Sequence, residues 1–304
     1  MFESDPVTAT VRHRDTSVTA PSSWAKRRTL WLSVLALVAA AIFSGFQART
    51  ASAATSTATS SNWAGYAASD TRFRKVSATW TVPTSTCTAG QAAYSAVWVG
   101  LGGFDTNSSG LEQTGIDANC SRSGNASYDV WYEILPAAAR TVHTLSVKPS
   151  DTVSASVTVS GHKVRFHVRN LTTGGDFTTT KYVSSPDISS ADWIVEAPSS
   201  CTSSNDCQTL PLSNFGKVSF TRAFATTASG HTSSIRNSRW TTTKITLGDT
   251  SRFATYPGGS SGSATPSSLS SGGSSFSVSY SETASNTGGG APVTFPGGGP
   301  GGPP

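Results

Sequence analysis

The sequence predicts an all-β protein, an antiparallel two-sheet β-sandwich, and three observations carry that reading. Apolar residues alternate with Ser, Thr and charged residues in short runs, which is the period of a half-buried strand rather than of a helix. Gly, Pro, Asn and Asp punctuate the runs. Outside one apolar stretch near the N terminus, no amphipathic pattern lasts three helical turns. A chain of 304 residues is long enough to bury a sizeable core, and one domain accounts for all the runs.

The first segment is read as an export signal. Lys26, Arg27 and Arg28 precede an apolar run from Leu30 to Phe43, followed by Gly45 and the small residues Ala51, Ser52 and Ala53. This is the order of a secretory signal spanning 1–53, with cleavage expected after Ala53, and the run is short of the ~20 residues that cross a bilayer. Arg27 and Arg28 also permit the twin-arginine route. Residues 54–61 form a Ser/Thr/Ala stretch without apolar periodicity and read as a spacer, so the β-sandwich domain is expected over 62–283.

Within that domain, Val76, Ala78, Trp80 and Val82 share one strand face. Val153, Ala155, Val157 and Val159 alternate with Ser and Thr, and after Gly161 the residues Val164, Phe166 and Val168 alternate with Lys163, Arg165, His167 and Arg169. That pair is a hairpin with one wet face. The scheme repeats at Val218, Phe220, Arg222 and Phe224, at Ile245 and Leu247, and at Phe276, Val278 and Tyr280. The stretch 257–275 reads as a Gly/Ser-rich insertion, and residues 284–304 as a Gly/Pro-rich tail that cannot bury a core.

Charge narrows the function classes. The formal net charge of +5 shrinks once 1–53 is removed, because that segment holds six of the 22 Lys and Arg and three of the 17 Asp and Glu. A near-neutral mature chain gives no support to a nucleic-acid partner, and the triad Arg72, Arg74, Lys75 reads as a solvated strand edge. Only 13% of residues are charged, so few carboxylates exist whose protonation undoes the fold as pH falls, and acid tolerance is expected.

All four cysteines, Cys87, Cys120, Cys201 and Cys207, follow the export signal, and an even count in an oxidising compartment reads as two disulfides. Three pairings are open, of which the short polar loop between Cys201 and Cys207 favours local closure. No Cys-x-x-Cys occurs and the five histidines are scattered, so no metal site is expected.

Chemistry has few places to reside. Gly258-Gly259-Ser260-Ser261-Gly262 fits G-x-S-x-G by letter, but Gly/Ser linker flanks it where a nucleophile elbow needs a strand and a helix. Three strands do carry polar groups amid apolar ones. In Leu111 to Asp117, period two puts Gln113 and Asp117 on one face and Ile116 on the other; in Tyr128 to Leu135, Asp129, Trp131 and Glu133 oppose Tyr128, Val130, Tyr132 and Ile134; in Asp192 to Glu196, Glu196 shares a face with Ile194. A carboxylate closing so apolar a run is expected to be partly buried, with its pKa raised.

These segments resemble the glutamic peptidases, or eqolisins, a family of secreted acid endopeptidases with a β-sandwich fold. The resemblance runs in order through Ser61 to Tyr66 (SNWAGY), Val76 to Pro83 (VSATWTVP), Ala96 to Gly100 (AVWVG), Leu111 to Asp117 (LEQTGID), Trp131 to Glu133 (WYE), Asn170 to Gly174 (NLTTG), Trp193 to Glu196 (WIVE) and Phe215 to Phe220 (FGKVSF), and fades beyond Thr226. It implies a concanavalin-like or jelly-roll-like sandwich and a catalytic pair at Gln113 and Glu196. Trp98, Trp131, Glu133 and Asp117 match positions around the family's substrate cleft. The family's aspartate shortly after the WVG tryptophan is absent here, where the chain reads Leu101-Gly102-Gly103-Phe104 with Asp105 displaced.

The resemblance implies a Glu196 general base that activates water and a Gln113 amide that orients it and donates to the oxyanion. Neither metal, cofactor nor covalent intermediate is required. Polypeptide substrates, a secreted location, no stable membrane association after signal cleavage and a monomeric state are expected. The competing reading is a secreted carbohydrate-binding or glycoside-hydrolysing β-sandwich using Glu133 and Glu196 as its carboxylate pair. Gln113 separates the two, since glycoside hydrolysis has no use for it.

Overall fold

Strand by strand, the alternation seen in the sequence becomes alternation between core and solvent. A computed structural model of the chain describes residues 55–105, 108, 110–203, 206–248 and 262–282, all within the compact unit Ala51–Pro304. The segment 1–53 read as an export signal, the segment 284–304 read as a tail and all of the G-x-S-x-G stretch except Gly262 lie outside the described residues.

The strands are β1 (Thr55–Ser60), β2 (Trp63–Ser69), β3 (Phe73–Thr81), β4 (Ala96–Gly102), β5 (Leu111–Cys120) and β6 (Ala126–Ile134). They continue with β7 (Arg140–Thr141), β8 (Thr152–Ser160), β9 (Lys163–Asn170), β10 (Asp176–Tyr182), β11 (Ala191–Glu196) and β12 (Ser199–Ser203). The last are β13 (Asp206–Thr209), β14 (Lys217–Thr227), β15 (Thr232–Ser234), β16 (Thr241–Leu247), β17 (Gly262–Pro266) and β18 (Phe276–Glu282). No helix occurs among the described residues.

Hydrogen bonding runs in the order β10-β9-β8-β3-β14-β18-β17-β16-β2-β11-β4-β5-β6-β7, with β1 also on β16 and β15 also on β14. β16 and β17 join through a single residue pair, Leu247 and Ala264, and the path folds over there. β4, β5 and β11 then lie across β3, β8, β9 and β14, which makes the two layers of an antiparallel sandwich. Between the layers sits the main core. Val97, Val99, Ile116, Trp193 and Val195 meet Val76, Trp80, Val157, Phe166, Phe220 and Val278, all fully buried or nearly so. Each such side chain contributes roughly 1.5–3 kcal/mol by leaving water.

A second apolar cluster occupies the opposite face of the β2-β11-β4-β5-β6 layer. It consists of Trp63, Ala67, Ala96, Trp98, Leu111, Trp131, Ile194 and Ile245. This is the face on which the polar residues singled out in the sequence fall.

Three expectations change. Residues 54–61 are not a bare spacer: Thr55–Ser60 forms β1, in parallel register with Thr242–Leu247 of β16. The 257–275 insertion contains β17, a ladder strand on β18 in which Ala264 is fully buried. In β14, Arg222 adopts φ 49° and the register against β3 shifts between Thr221 and Phe224. That bulge inserts one residue. The inward face therefore continues as Ala223 and Ala225, while Arg222 and Phe224, expected to lie with Val218 and Phe220, turn outward.

Cys87 and Cys120 are disulfide-bonded, which ties the segment after β3 to the end of β5. Cys207 is also disulfide-bonded, and it lies opposite Cys201 in the β12-β13 ladder.

Candidate active site

Register alone places the candidate residues in three rows across β2, β11, β4, β5 and β6. The first row runs Trp63, Glu196, Ala96, Asp117, Asp129. The second runs Gly65, Ile194, Trp98, Gly115, Trp131, and the third Ala67, Asp192, Gly100, Gln113, Glu133. Because every second residue of a strand faces the same side, all six sequence-predicted residues, Gln113, Glu196, Trp98, Trp131, Glu133 and Asp117, share one face. Glu196 and Gln113 stand in the outer rows, two strands apart, on either side of the Trp98 row.

Glycine makes that arrangement fit. A Cβ on Gly115 would come within 2.2 Å of the Val97 carbonyl oxygen and 2.6 Å of Trp98 Cβ. Only glycine lets β5 approach β4 that closely beside the Trp98 side chain. Trp98 in turn meets Trp63 edge to face, with ring centroids 5.0 Å apart.

Glu196 is buried at 3% exposure, and both its oxygens accept hydrogen bonds. Trp98 Nε1 donates to Oε2 at 2.8 Å, and Asn62 Nδ2 donates to Oε1 at 3.3 Å. Burial, and then the charge of Glu133, push its pKa well above the ordinary glutamate range, while donors from Trp98, Trp63 and Asn62 pull the other way.

Glu133 is buried too, and Gln113 Nε2 donates to its Oε2 at 2.6 Å. Burial raises its pKa to about 7 against the opposing bonds from Gln113 and the Ala139 backbone. Asp117, half-buried, is pushed up to about 8 by burial and by the charges of Asp129 and Glu133, with Trp131 and Asn119 opposing. Gln113 Oε1 is buried and has no hydrogen-bond partner, so an acceptor is left over on a side chain of the site face. Among the described residues no three His, Cys, Asp or Glu side chains form a group that could hold a metal ion.

A model of the Peptidase A4 family matches residues 61–279. The chain belongs to the peptidase A4 family. Aspergillopepsin-2 of Aspergillus niger is 32% identical over 189 residues, covering 55% of this chain and 64% of that protein. Scytalidopepsin B of Scytalidium lignicola is 32% identical over 169 residues, 53% of this chain and 62% of that protein. The matched regions thus span under two thirds of either relative. A solved structure of scytalido-glutamic peptidase with a transition state analog inhibitor aligns at TM-score 0.54 and 26% identity, over 73% of this chain and 98% of that one.

Several groups of this peptidase A4 site carried no role in the sequence reading. Asn62 and Trp63 were visible only as letters of the SNWAGY segment; their position against Glu196 depends on the pairing of β2 with β11. Asp192 stands in the third row between Ala67 and Gly100, fully buried, with Ser190 Oγ donating to its Oδ2 at 2.9 Å. On the other face of β5, Glu112 accepts the Asp187 backbone N–H at 3.3 Å and is pushed up to about 8, chiefly by burial. Two carboxyl residues beside apolar neighbours were the available signal. Period two alone did not say that both were buried.

Proposed function

We propose that this chain is a secreted endopeptidase that hydrolyses peptide bonds at acidic pH through Glu196 and Gln113. The observation that carries the reading is the unpartnered Gln113 Oε1 on the face where both Glu196 oxygens are held by donors. Membership in the peptidase A4 family supports it, as does the complex of the similar scytalido-glutamic peptidase with a transition state analog inhibitor. The arrangement of Lys26 to Ala53 supports export.

In this mechanism a water bound between the rows donates a hydrogen bond to Gln113 Oε1 and loses its proton to the Glu196 carboxylate. Its oxygen bonds to the scissile carbonyl carbon, and the oxyanion accepts the Gln113 N–H that Glu133 leaves free. Glu196 then passes the proton to the amide nitrogen, the C–N bond breaks, and the products are a carboxyl group and an amine. The carboxylate is restored, so no covalent intermediate forms and no metal is called for.

Acid favours the reaction through Glu133. Below about 7 this carboxyl keeps its proton, which leaves burial but removes the repulsion that adds to it in raising the Glu196 pKa. The test is hydrolysis of a denatured protein from pH 3 to 8 by the purified chain, Glu196→Gln and Gln113→Ala. Loss of at least ~10²-fold in kcat is expected for each. Folded variants that keep full proteolysis would end the reading.

A further inference from the structure

Ser60, the last residue of β1, is the start of a hydrogen-bond chain that ends on Glu196. Its Oγ accepts the backbone N–H of Asn62 at 3.2 Å and that of Trp63 at 3.0 Å. With the oxygen taken up by those two backbone donors, the hydroxyl proton is left for the Asn62 side chain, whose Oδ1 lies 2.9 Å away. The polarity of the Asn62 amide follows. Its oxygen faces Ser60, so its Nδ2 faces Glu196 Oε1 at 3.3 Å, as a carboxylate requires.

Backbone pairing holds both ends. Ser60 lies opposite Leu247 in the parallel β1-β16 ladder, and its carbonyl accepts the Gly248 N–H at 2.9 Å. The Asn62 carbonyl accepts the Ala197 N–H at 2.8 Å, next to Glu196 itself. Ser60, Asn62 and Glu196 are each at most 3% exposed, so bulk water does not replace a missing member of the chain.

We propose that Ser60 and Asn62 are positioning residues: a one-way donor relay, anchored by β1, that orients the Glu196 carboxylate and keeps an N–H directed at its Oε1. The proposal rests on the reading of Glu196 as the general base. The relay holds Oε1 and the Trp98 indole holds Oε2, with Trp63 as a further donor, which fixes the plane of the carboxylate. Such donors favour the ionised form that a base needs. Among the described residues, Glu133 on β6 is the titratable group whose charge acts on Glu196, while Asp117 on β5 and Asp129 on β6 stand in the same row of the sheet as Glu196. Burial and the Glu133 charge oppose ionisation, and the relay is one of the few devices favouring it.

The experiment compares kcat/KM against pH for the wild-type chain, Asn62→Ala, Ser60→Ala, Ser60→Thr and Glu196→Gln, each checked for folding by circular dichroism. Without its donor, the Glu196 carboxylate holds its proton more tightly, so the rising acid side of the profile moves to higher pH. On that side Asn62→Ala should lose about tenfold in kcat/KM, with recovery toward the wild-type value at higher pH. KM should change little. Ser60→Ala, which frees the Asn62 amide to turn, should move the profile the same way, and Ser60→Thr, which keeps the hydroxyl, should restore it. A folded Asn62→Ala or Ser60→Ala whose activity falls equally at every pH, or not at all, overturns the relay. If Asn62→Ala does not fold, the Ser60 pair decides alone. Glu196→Gln separates the two levels: full proteolysis by that variant sinks the base reading, whereas an inactive Glu196→Gln beside an unmoved Asn62→Ala profile sinks only the relay.

Discussion

The Gln113 side chain gives one N–H to Glu133 Oε2 across 2.6 Å and leaves its own Oε1 without a partner. One amide therefore serves as an anchored donor on one side and an open acceptor on the other. The anchor titrates, since burial raises the Glu133 carboxyl to about 7.

That titration predicts the falling side of the activity profile. Above about 7 an ionised Glu133 draws the Gln113 N–H more strongly, repels the oxyanion and raises the proton affinity of Glu196. All three effects oppose the proposed reaction, so kcat/KM should fall near that pH. Glu133→Gln keeps an acceptor for Gln113 but cannot ionise, and its profile should lose the fall. Steady-state kinetics across pH 5 to 8, at pH values where each protein is folded, checks this; an unchanged descending side in the variant counts against the assignment.

Gly115→Ala should be among the most damaging single-methyl changes in the chain. The added Cβ meets the Val97 carbonyl oxygen at 2.2 Å, and backbone cannot swing aside as a flexible side chain does. Relief requires β4 and β5 to part beneath Trp98, whose indole holds Glu196. Destabilisation of about 1–3 kcal/mol is expected, together with a loss of proteolysis larger than the loss of folded protein. Urea unfolding and the specific activity of the folded fraction measure the two separately.

The period-two pattern was enough to put Gln113 with Asp117, Trp131 with Glu133 and Glu196 with Ile194, each pair on one face of its own strand, because each strand exposes a core side and a site side whatever its partners. Trp98, by contrast, was marked only by the family resemblance. Which faces come together is a matter of pairing. Asn62 shows the difference: its neighbour in sequence is Trp63, but its role depends on β11, more than a hundred residues away. β1 was missed because Thr, Ser and Ala alternate without apolar contrast, and its order derives from the β16 ladder rather than from its own side chains. The β14 bulge was missed for a related reason, since a single residue at positive φ reverses every face beyond it and leaves no mark on composition.

The bulge makes Phe220 and Phe224 unequal. An unbroken strand would bury both, whereas here Phe220 is fully buried and Phe224 is 38% exposed. Phe220→Ala should destabilise by about 3–5 kcal/mol. Phe224→Ala should cost no more than about 1 kcal/mol. Equal losses in chemical denaturation would mean that β14 runs straight.

Buried carboxyls make stability fall as pH rises, the reverse of proteins held by ionised pairs. Glu112 at about 8 and Asp192, raised well above its ordinary value, both owe the rise chiefly to burial. In the unfolded chain these groups lose their protons near the ordinary 4.5 and 3.8. At the lowest pH both states are protonated and no penalty arises. Between about 4 and 8 the folded chain binds more protons than the unfolded one, so each group lowers stability by roughly 1.4 kcal/mol per pH unit across its own interval. The loss is complete once pH passes the folded value. Thermal unfolding should therefore show the highest midpoint near pH 3 to 4 and a steady decline toward pH 8. Glu112→Gln mimics the protonated acid and keeps an oxygen for the Asp187 N–H. It should match the wild type at pH 3 to 4 and exceed it at pH 8, because its share of the decline is gone. A wild-type midpoint that climbs from pH 4 to 7 would show that these carboxyls are ionised in the fold.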